Sequence, residues 1–321
     1  MNITIKDYTP VKHAGPMLEL WGKALGATYP VSERVFLQRA DGGHPTVEPG
    51  DGLVAFAGRK VIGFVLAEVV RTAIGRQENA YLAALMVDPD RQHAGLGARL
   101  LGALEQRLRE RGCTKITTGA GPLRFWTGVP DDLPIAKAFF HRQGYQSAPS
   151  LAPDMVIPLN RPYVMDPKYR ARMEAAGVRV TSATLKDAGP LLDFENREFL
   201  GWSPTMLTLM ANGDINNILL AWHDQEIVGS ITSFTPGSRW RAANLVWERI
   251  HGTQMGGYGA VGIAKAWQGQ GLGAALSQAA AIHIQNQGAT CCYIDWVGPE
   301  EFYAKLGART WRRFDQMSKS I

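Results

Sequence analysis

The sequence predicts a mixed α/β fold built twice over, and three observations carry that expectation. Three segments recur in the same order in the two halves of the chain. Each copy alternates strand-like and helix-like stretches. In each, an apolar strand runs directly into a glycine-rich turn that opens an amphipathic helix.

The repeat comes first because it sets the domain organisation. Lys12–Leu20 recurs as Lys186–Phe194, sharing Lys-x-Ala-Gly-Pro. Gln92–Ala98 (Gln-His-Ala-Gly-Leu-Gly-Ala) recurs as Gln268–Ala274 (Gln-Gly-Gln-Gly-Leu-Gly-Ala), and Phe139–Tyr145 recurs as Phe302–Ala308. A period of roughly half the chain with no third copy is a duplicated domain, not a solenoid. The 321 residues, 45% of them hydrophobic, suit two domains with a core each. The boundaries expected from the repeat are 1–161 and 177–321. The stretch 162–176 between them, with Pro162 and Pro167 and a polar composition, reads as a linker.

Within each copy the elements follow one order: strand, helical segment, hairpin, strand, glycine turn, helix, strand, short helix, closing strands. The hairpins are Gly52–Val70, turning at Gly58 and Arg59, and Asn217–Phe234, turning at Asp224 and Gln225. Leu96, Leu100, Leu104 and Leu108 share one face of the first glycine-turn helix, which Gly112 should end. Leu272, Leu276, Ala280 and Ile284 do so in the second, with Gly288 at its end.

Composition excludes several functions. A net charge of +5 and a pI near 9.1 are mild, and Lys and Arg interleave with acids, as in Arg107–Arg111, so no tract argues for nucleic acid. Met1–Asp7 has no signal-peptide character and no apolar run reaches membrane-spanning length, which predicts a cytoplasmic protein without membrane partners. The three cysteines, Cys113, Cys291 and Cys292, lack metal or disulfide spacing and read as buried fillers; no metal is expected.

Glycines at a helix start let a ligand approach the backbone, and the free amides and helix dipole there favour an anion. Neither turn is followed by Gly-Lys-Ser or Gly-Lys-Thr, so a nucleotide P-loop is excluded. A dinucleotide fingerprint fits poorly, since its third glycine position in the second copy is Leu276. A phosphate-bearing ligand of another kind remains.

These residues, with the aromatic-Tyr-x-x-x-Gly segment further on, carry a resemblance to the GCN5-related N-acetyltransferase (GNAT) family, once per half and over nearly the whole chain. The resemblance implies two tandem domains, each a mostly antiparallel central sheet flanked by helices, with acetyl-CoA as cosubstrate and a small-molecule amine as acceptor. It implies that backbone amides of Gln268, Gly269, Gln270, Gly271, Leu272, Gly273 and Ala274 hold the diphosphate and that Val261 and Ile263 pair with the pantetheine arm. Val87, Gln92, Gly95, Gly97 and Ala98 carry over in the first half.

Acetyl transfer to an amine requires removal of a proton and a donor for the departing thiolate. In the family the donor is commonly the tyrosine of the aromatic segment. Tyr303 supplies it in the second half; the first has Phe140, which cannot donate, and His93 where the second turn has Gly269. Catalysis is therefore expected in the second half, with the first binding CoA without turnover or serving as support. Asp295, at the end of the apolar run Cys291–Ile294, is the candidate base, its alternative role being a cap for the segment that follows. Glu248 is the reserve.

Most of the nine tryptophans lie in the second half. Trp240, Trp247 and Trp296 fall in segments expected to border the acceptor, where aromatic faces suit a sugar or another cyclic amine. The ending from Tyr293 to Arg313, with Phe125–Pro130, resembles tandem acetyltransferases acting on glucosamine and glucosaminides. Mycothiol synthases share the tandem layout and imply another amine. A non-enzymatic acyl-CoA sensor or scaffold is the reading from a different class.

Overall fold

The computed structural model describes residues 2–40, 44–48, 51–72 and 75–321. The chain divides into two compact units: residues 1–153 with 312–321, and residues 154–311.

The first unit runs β1 (Ile3–Asp7), α1 (Pro10–Leu25), α2 (Glu33–Ala40), β2 (Val47–Glu48), β3 (Gly52–Ala57), β4 (Lys60–Thr72), β5 (Gly75–Val87), α3 (Leu96–Glu110), β6 (Lys115–Thr118), β7 (Val129–Pro130) and α4 (Pro134–Arg142). After it come β8 (Ala152–Pro158), α5 (Pro167–Ala175), β9 (Val178–Ser182), α6 (Ala188–Glu198), α7 (Ser203–Ala211), β10 (Ile218–His223), β11 (Glu226–Phe234), α8 (Glu248–His251), β12 (Met255–Ile263), α9 (Leu272–Asn286), β13 (Cys291–Ile294) and α10 (Glu300–Ala304). The chain closes with β14 (Arg309–Asp315) and β15 (Ser318–Ser320).

The sheet of the first unit is ordered β1-β3-β4-β5-β6-β15, with β2 beside β4; that of the second contains β9-β10-β11-β12-β13-β8. Each is antiparallel except for one parallel pair, β5 with β6 and β12 with β13. The glycine-turn helices lie on these sheets as their periodicity predicts. Leu96, Leu100, Leu104 and Leu108 are buried, and so are Leu272, Leu276, Ala280 and Ile284. Both helices end at the predicted glycine. Gly112 (φ +81°) and Gly288 (φ +89°) are left-handed, and the next residue's N–H reaches back five positions, from Cys113 to Leu108 and from Ala289 to Ile284. This is a Schellman close, which only glycine accommodates without Cβ strain.

Two features differ from the sequence expectation. The first is that the closing strands are exchanged. β8, which follows the first copy, pairs with β13, placing Ile157 opposite Cys292 and Met155 opposite Ile294. β15, at the end of the second copy, pairs with β6, placing Ser318 opposite Thr117. The boundaries 1–161 and 177–321 are corrected accordingly. Phe314 and Met317 are fully buried, and Met317 belongs to the core of the first unit. Asp315, also buried there, accepts hydrogen bonds from Ser147 Oγ (2.6 Å) and Ala148 N (3.1 Å) and pairs with Lys137 (3.0 Å). Burial alone would raise its pKa, but these partners outweigh it and hold the carboxyl below its ordinary value.

The second difference is that 162–176 is not a free linker. Gln285 Nε2 donates to the carbonyls of Leu159 (2.8 Å) and Arg161 (2.6 Å), its Oε1 accepts from Tyr163 N, and Gln278 Oε1 accepts from Asp166 N (3.0 Å). Helix α5 then buries Tyr169 against Ala274, Ala275 and Leu306.

The exchange makes the first unit depend on the last ten residues. Deleting 312–321 removes the β15 ladder, two buried apolar side chains and the buried Asp315, a loss of about 5 kcal/mol or more against a typical domain stability of about 5–15 kcal/mol. The truncated chain should therefore lose cooperative melting of the first unit in calorimetry. An unchanged melting profile would contradict the assignment of these residues to that core.

Candidate active site

In the second unit the site starts where a sheet stops being paired. β12 and β13 share only three pairs, Met255 with Cys291, Gly256 with Cys292 and Gly257 with Tyr293. Beyond them β12 keeps its ladder to β11 through Ile263, while its other edge has no ladder partner among the described residues. Gly257 must be glycine, since a Cβ there would collide with the carbonyl of Tyr293 and lie 2.7 Å from Cβ of Asn244. The strand bulges next, with a register shift opposite Ser230 and Thr232 and Ala260 in a left-handed conformation (φ +48°). Asn244 bridges the opening strands, donating from Nδ2 to the carbonyl of Tyr258 (3.0 Å) and to Asp295 Oδ1 (2.8 Å).

Asp295 lies near enough to Tyr303 here for its charge to reach the phenol. The half-buried Tyr303 ring lies 6.3 Å from that of Tyr258. Burial, and secondarily the negative charge of Asp295, push its pKa above the ordinary phenol value, so the hydroxyl stays protonated and able to donate through the neutral range. Trp296, next to Asp295, is a non-glycine residue at φ +50°, and its N–H donates to Asp154 Oδ1 (2.8 Å). The residue is 44% exposed. A bulky residue held in that conformation costs roughly 1–3 kcal/mol, and such strain tends to gather at functional sites. Trp240 and Trp247, expected at the acceptor cleft, are instead buried, Trp247 packing on Trp311. Glu248, the reserve base, opens α8 beside Arg241 at 3.8 Å.

The two glycine turns are built alike. Gly95 (φ +80°) and Gly271 (φ +81°) are the N-caps of α3 and α9, and His93 (φ +61°) and Gly269 (φ +79°) are also left-handed. In each turn the glutamine braces the end of the strand before it, Gln92 Nε2 donating to Val87 O (3.2 Å) and Gln268 Nε2 to Ile263 O (2.9 Å). Leu272 and Ala274 turn their side chains into the core, so only their backbone can meet a ligand; Val261 is half-buried and Gln270 exposed. Free amides, left-handed glycines and an unpaired strand edge fit the anionic, extended shape of CoA. Beside the second turn is a cavity of about 640 Å³ bordered by Gln268, Gly269, Gly271, Gly273 and Ala274. Tyr169, Arg172 and Lys305 also line it, and none of these was singled out from the sequence.

In the first unit β5 and β6 part after Leu82 pairs with Thr118. A cavity of about 710 Å³ follows, lined by Val87, Gln92, Gly95, Gly97 and Ala98, within the roughly 300–1,000 Å³ usual for ligand pockets. Phe139, Phe140 and Trp126 border it as well, so the position matching Tyr303 presents a ring without a hydroxyl. Behind it Trp21 stacks on Trp126 (4.9 Å, 9°) and touches Phe36 and Phe125, and Phe36 meets Phe64. In the repeat Trp21 corresponds to Glu195 and Phe64 to Ser230, so aromatic packing in one unit is replaced by a polar pair in the other.

Glu195 is the residue that sequence reasoning missed, because a glutamate on a helix reads as solvated. It is fully buried and accepts from Ser230 Oγ, and its Oε2 has no hydrogen-bond partner among the described residues. Burial, opposed only by the Ser230 hydrogen bond, raises it to about 7. Among the described residues no helix is long and apolar enough to cross a membrane, and no group of three His, Cys, Asp or Glu side chains could hold a metal ion.

Residues 18–145 match the model of the acetyltransferase (GNAT) family, and residues 214–307 that of the acetyltransferase (GNAT) domain. The chain is 24% identical over 295 residues to a mycothiol acetyltransferase of Rhodococcus opacus (strain B4), covering 88% of this chain and 86% of the relative. Among solved structures it resembles the glucosamine N-acetyltransferase region of a fungal multi-domain GH3 β-N-acetylglucosaminidase, with TM-score 0.90 and 26% identity. That match covers 99% of this chain but only 38% of the fungal one. It also shares the fold of a GCN5-related N-acetyltransferase from Sphaerobacter thermophilus, with TM-score 0.71, 16% identity and coverage of 99% and 95%.

Two outcomes follow from the geometry. Folded Glu195 holds its proton to a higher pH than it would unfolded, so its stabilising contribution is complete below the unfolded value near 4.5 and is lost as pH rises through about 7. Glu195→Gln should flatten the decline in unfolding free energy between pH 5 and 8, by an amount of order 1–3 kcal/mol. An unchanged slope would count against a buried, protonated Glu195. Gly269→Ala meets open space and should cost about 1 kcal/mol in denaturant titration from the left-handed backbone alone; no cost would contradict that conformation.

Proposed function

Because the chain belongs to the GNAT family of acetyl-CoA-dependent acetyltransferases, we propose that its second unit transfers an acetyl group to the primary amine of a small molecule, an amino sugar such as glucosamine. The observation that carries this reading is the grouping of Tyr303, Asp295 and the exposed Trp296 where β12 and β13 part, set against Phe140 and a wall of aromatic rings at the matching place in the first unit.

Acetyl-CoA, when bound, supplies the activated acetyl thioester. The backbone amides of 269–274 would take its phosphates and the free edge of β12 from Val261 to Ile263 its pantetheine arm. Tyr303 donates a hydrogen bond to the departing thiolate. Its proton is held tightly, so it stabilises developing charge without needing to give the proton up. Asp295, oriented by Asn244, draws the acceptor's ammonium into line while water takes its proton; the freed amine attacks the thioester carbonyl carbon, the C–S bond breaks as the thiolate leaves, and the second amine proton passes to water. The indole of the exposed Trp296 offers the flat apolar face on which a sugar ring rests. The first unit, with cavity and turn intact but no donor, holds CoA without turning it over.

The likeness to a glucosamine N-acetyltransferase region supports the amino-sugar acceptor. The likeness to a mycothiol acetyltransferase supports a second acceptor, the amine those enzymes acetylate. The deciding measurement is thiol release from acetyl-CoA with glucosamine, that second amine, polyamines and peptides. Glucosamine should accelerate release above hydrolysis, Tyr303→Phe should lower kcat by roughly 10- to 1,000-fold, and Trp296→Ala should raise KM for the sugar more than it lowers kcat. Acceleration by peptides or polyamines alone would overturn the amino-sugar reading. Tight CoA binding with no release across the panel would replace it with a non-enzymatic acyl-CoA sensor.

A further inference from the structure

The two turns differ in what lies over them. Gly95 of the first has no atom within 4 Å of where a side chain would start, whereas a Cβ on Gly271 would collide with the guanidinium of Arg172 and lie 2.8 Å from its Cδ. Arg172 comes from α5, the helix between the repeats. α5 is fastened to α9 by the burial of Tyr169 against Ala274 and Ala275 and by the Gln278–Asp166 hydrogen bond. The guanidinium lies 5.7 Å from the Tyr169 ring, a second restraint on its position. It is exposed and makes no ion pair within 4.0 Å among the described residues, while Asp166 at the start of α5 is near enough to feel its charge. Lys305 borders the same cavity, as does one carboxylate, Glu301. A guanidinium without an ion-pair partner on the rim of a turn of free amides matches the planar, multidentate hydrogen bonding that phosphate oxygens demand.

We propose that Arg172 is a phosphate-binding residue of the second unit, closing the CoA site from outside so that helix α5 is part of the site. The proposal rests on the reading of the second turn as a CoA site. It explains why a segment of linker-like composition is pinned along α9, and it gives the second turn a charged contact drawn from outside the repeated segments, whereas the arginines bordering the first cavity, Arg91 and Arg142, lie within the first copy.

The test is calorimetric binding of CoA to the full chain, compared with steady-state KM for acetyl-CoA and for acetyl-pantetheine, which has no phosphate. Arg172→Ala should weaken one CoA-binding event tenfold or more, raise KM for acetyl-CoA similarly and leave KM for acetyl-pantetheine unchanged. Arg172→Lys, keeping the charge but not the fork, should recover part of the loss. Dephospho-CoA separates the sources: a loss that persists assigns Arg172 to the diphosphate, and one that vanishes assigns it to the 3′-phosphate. Unchanged or tighter CoA binding by Arg172→Ala, the latter meaning that the side chain obstructs the turn, overturns the proposal. So does an equal loss with acetyl-pantetheine, which would reduce Arg172 to packing. A wild-type chain that binds no CoA would instead remove the underlying reading of the site.

Discussion

The hydrogen bonding between β12 and β13 ends after three residue pairs, and what the second unit can do depends on that break. A parallel pair that stayed closed would satisfy the backbone of Tyr258 to Ile263 internally and leave no edge to receive an extended ligand. The opening is held by devices of known cost. Glycine at 257 permits the close approach, the bulge at Ala260 turns the strand away, and Asn244 spans the gap. The pair β5 and β6 opens in the same way after Leu82 and Thr118. Duplication therefore preserved the cleft twice, while the chemistry around it diverged.

That divergence follows from local substitutions. In the first unit Trp21, Phe36, Phe64, Phe125 and Trp126 fill the side of the sheet that in the second carries Glu195 and Ser230. Aromatic rings there add packing energy and remove polar contacts for an amine, whereas a buried carboxylic acid against a hydroxyl gives up stability, as polar groups kept for function often do. The left-handed His93 makes the same point on a smaller scale. The first turn keeps its backbone shape at a strain that glycine avoids in the second.

The repeat, the helices and their glycine ends were legible in the sequence because they rest on local rules: apolar spacing, left-handed glycine and helix periodicity. The glutamines of the turns were legible as motif positions, though not as braces reaching back to Val87 and Ile263. The exchange of β8 and β15 was not legible, because alternating apolar residues say that a strand has a buried face without saying which sheet receives it. Helix α5 reads as a linker because Tyr169 is its one buried side chain among the described residues, joined by the partly buried Met173, while the rest are charged residues, alanines and a proline. Of the tryptophans, composition could not separate the buried Trp240 and Trp247 from the exposed Trp296, since the distinction lies in how Asp154 holds the backbone of one turn.

The central claim is that one of two similar clefts carries acetyl transfer. Narrowing each turn separately tests it most directly, by measuring acetylation of glucosamine by Gly97→Val and Gly273→Val side by side with wild type. Gly97 and Gly273 occupy matching positions in the first turns of α3 and α9 and border the two cavities. The account predicts that Gly273→Val loses acetyl transfer while Gly97→Val retains kcat with one CoA-binding event weakened. Loss of turnover in Gly97→Val with activity kept in Gly273→Val would place the reaction in the first unit and contradict the account.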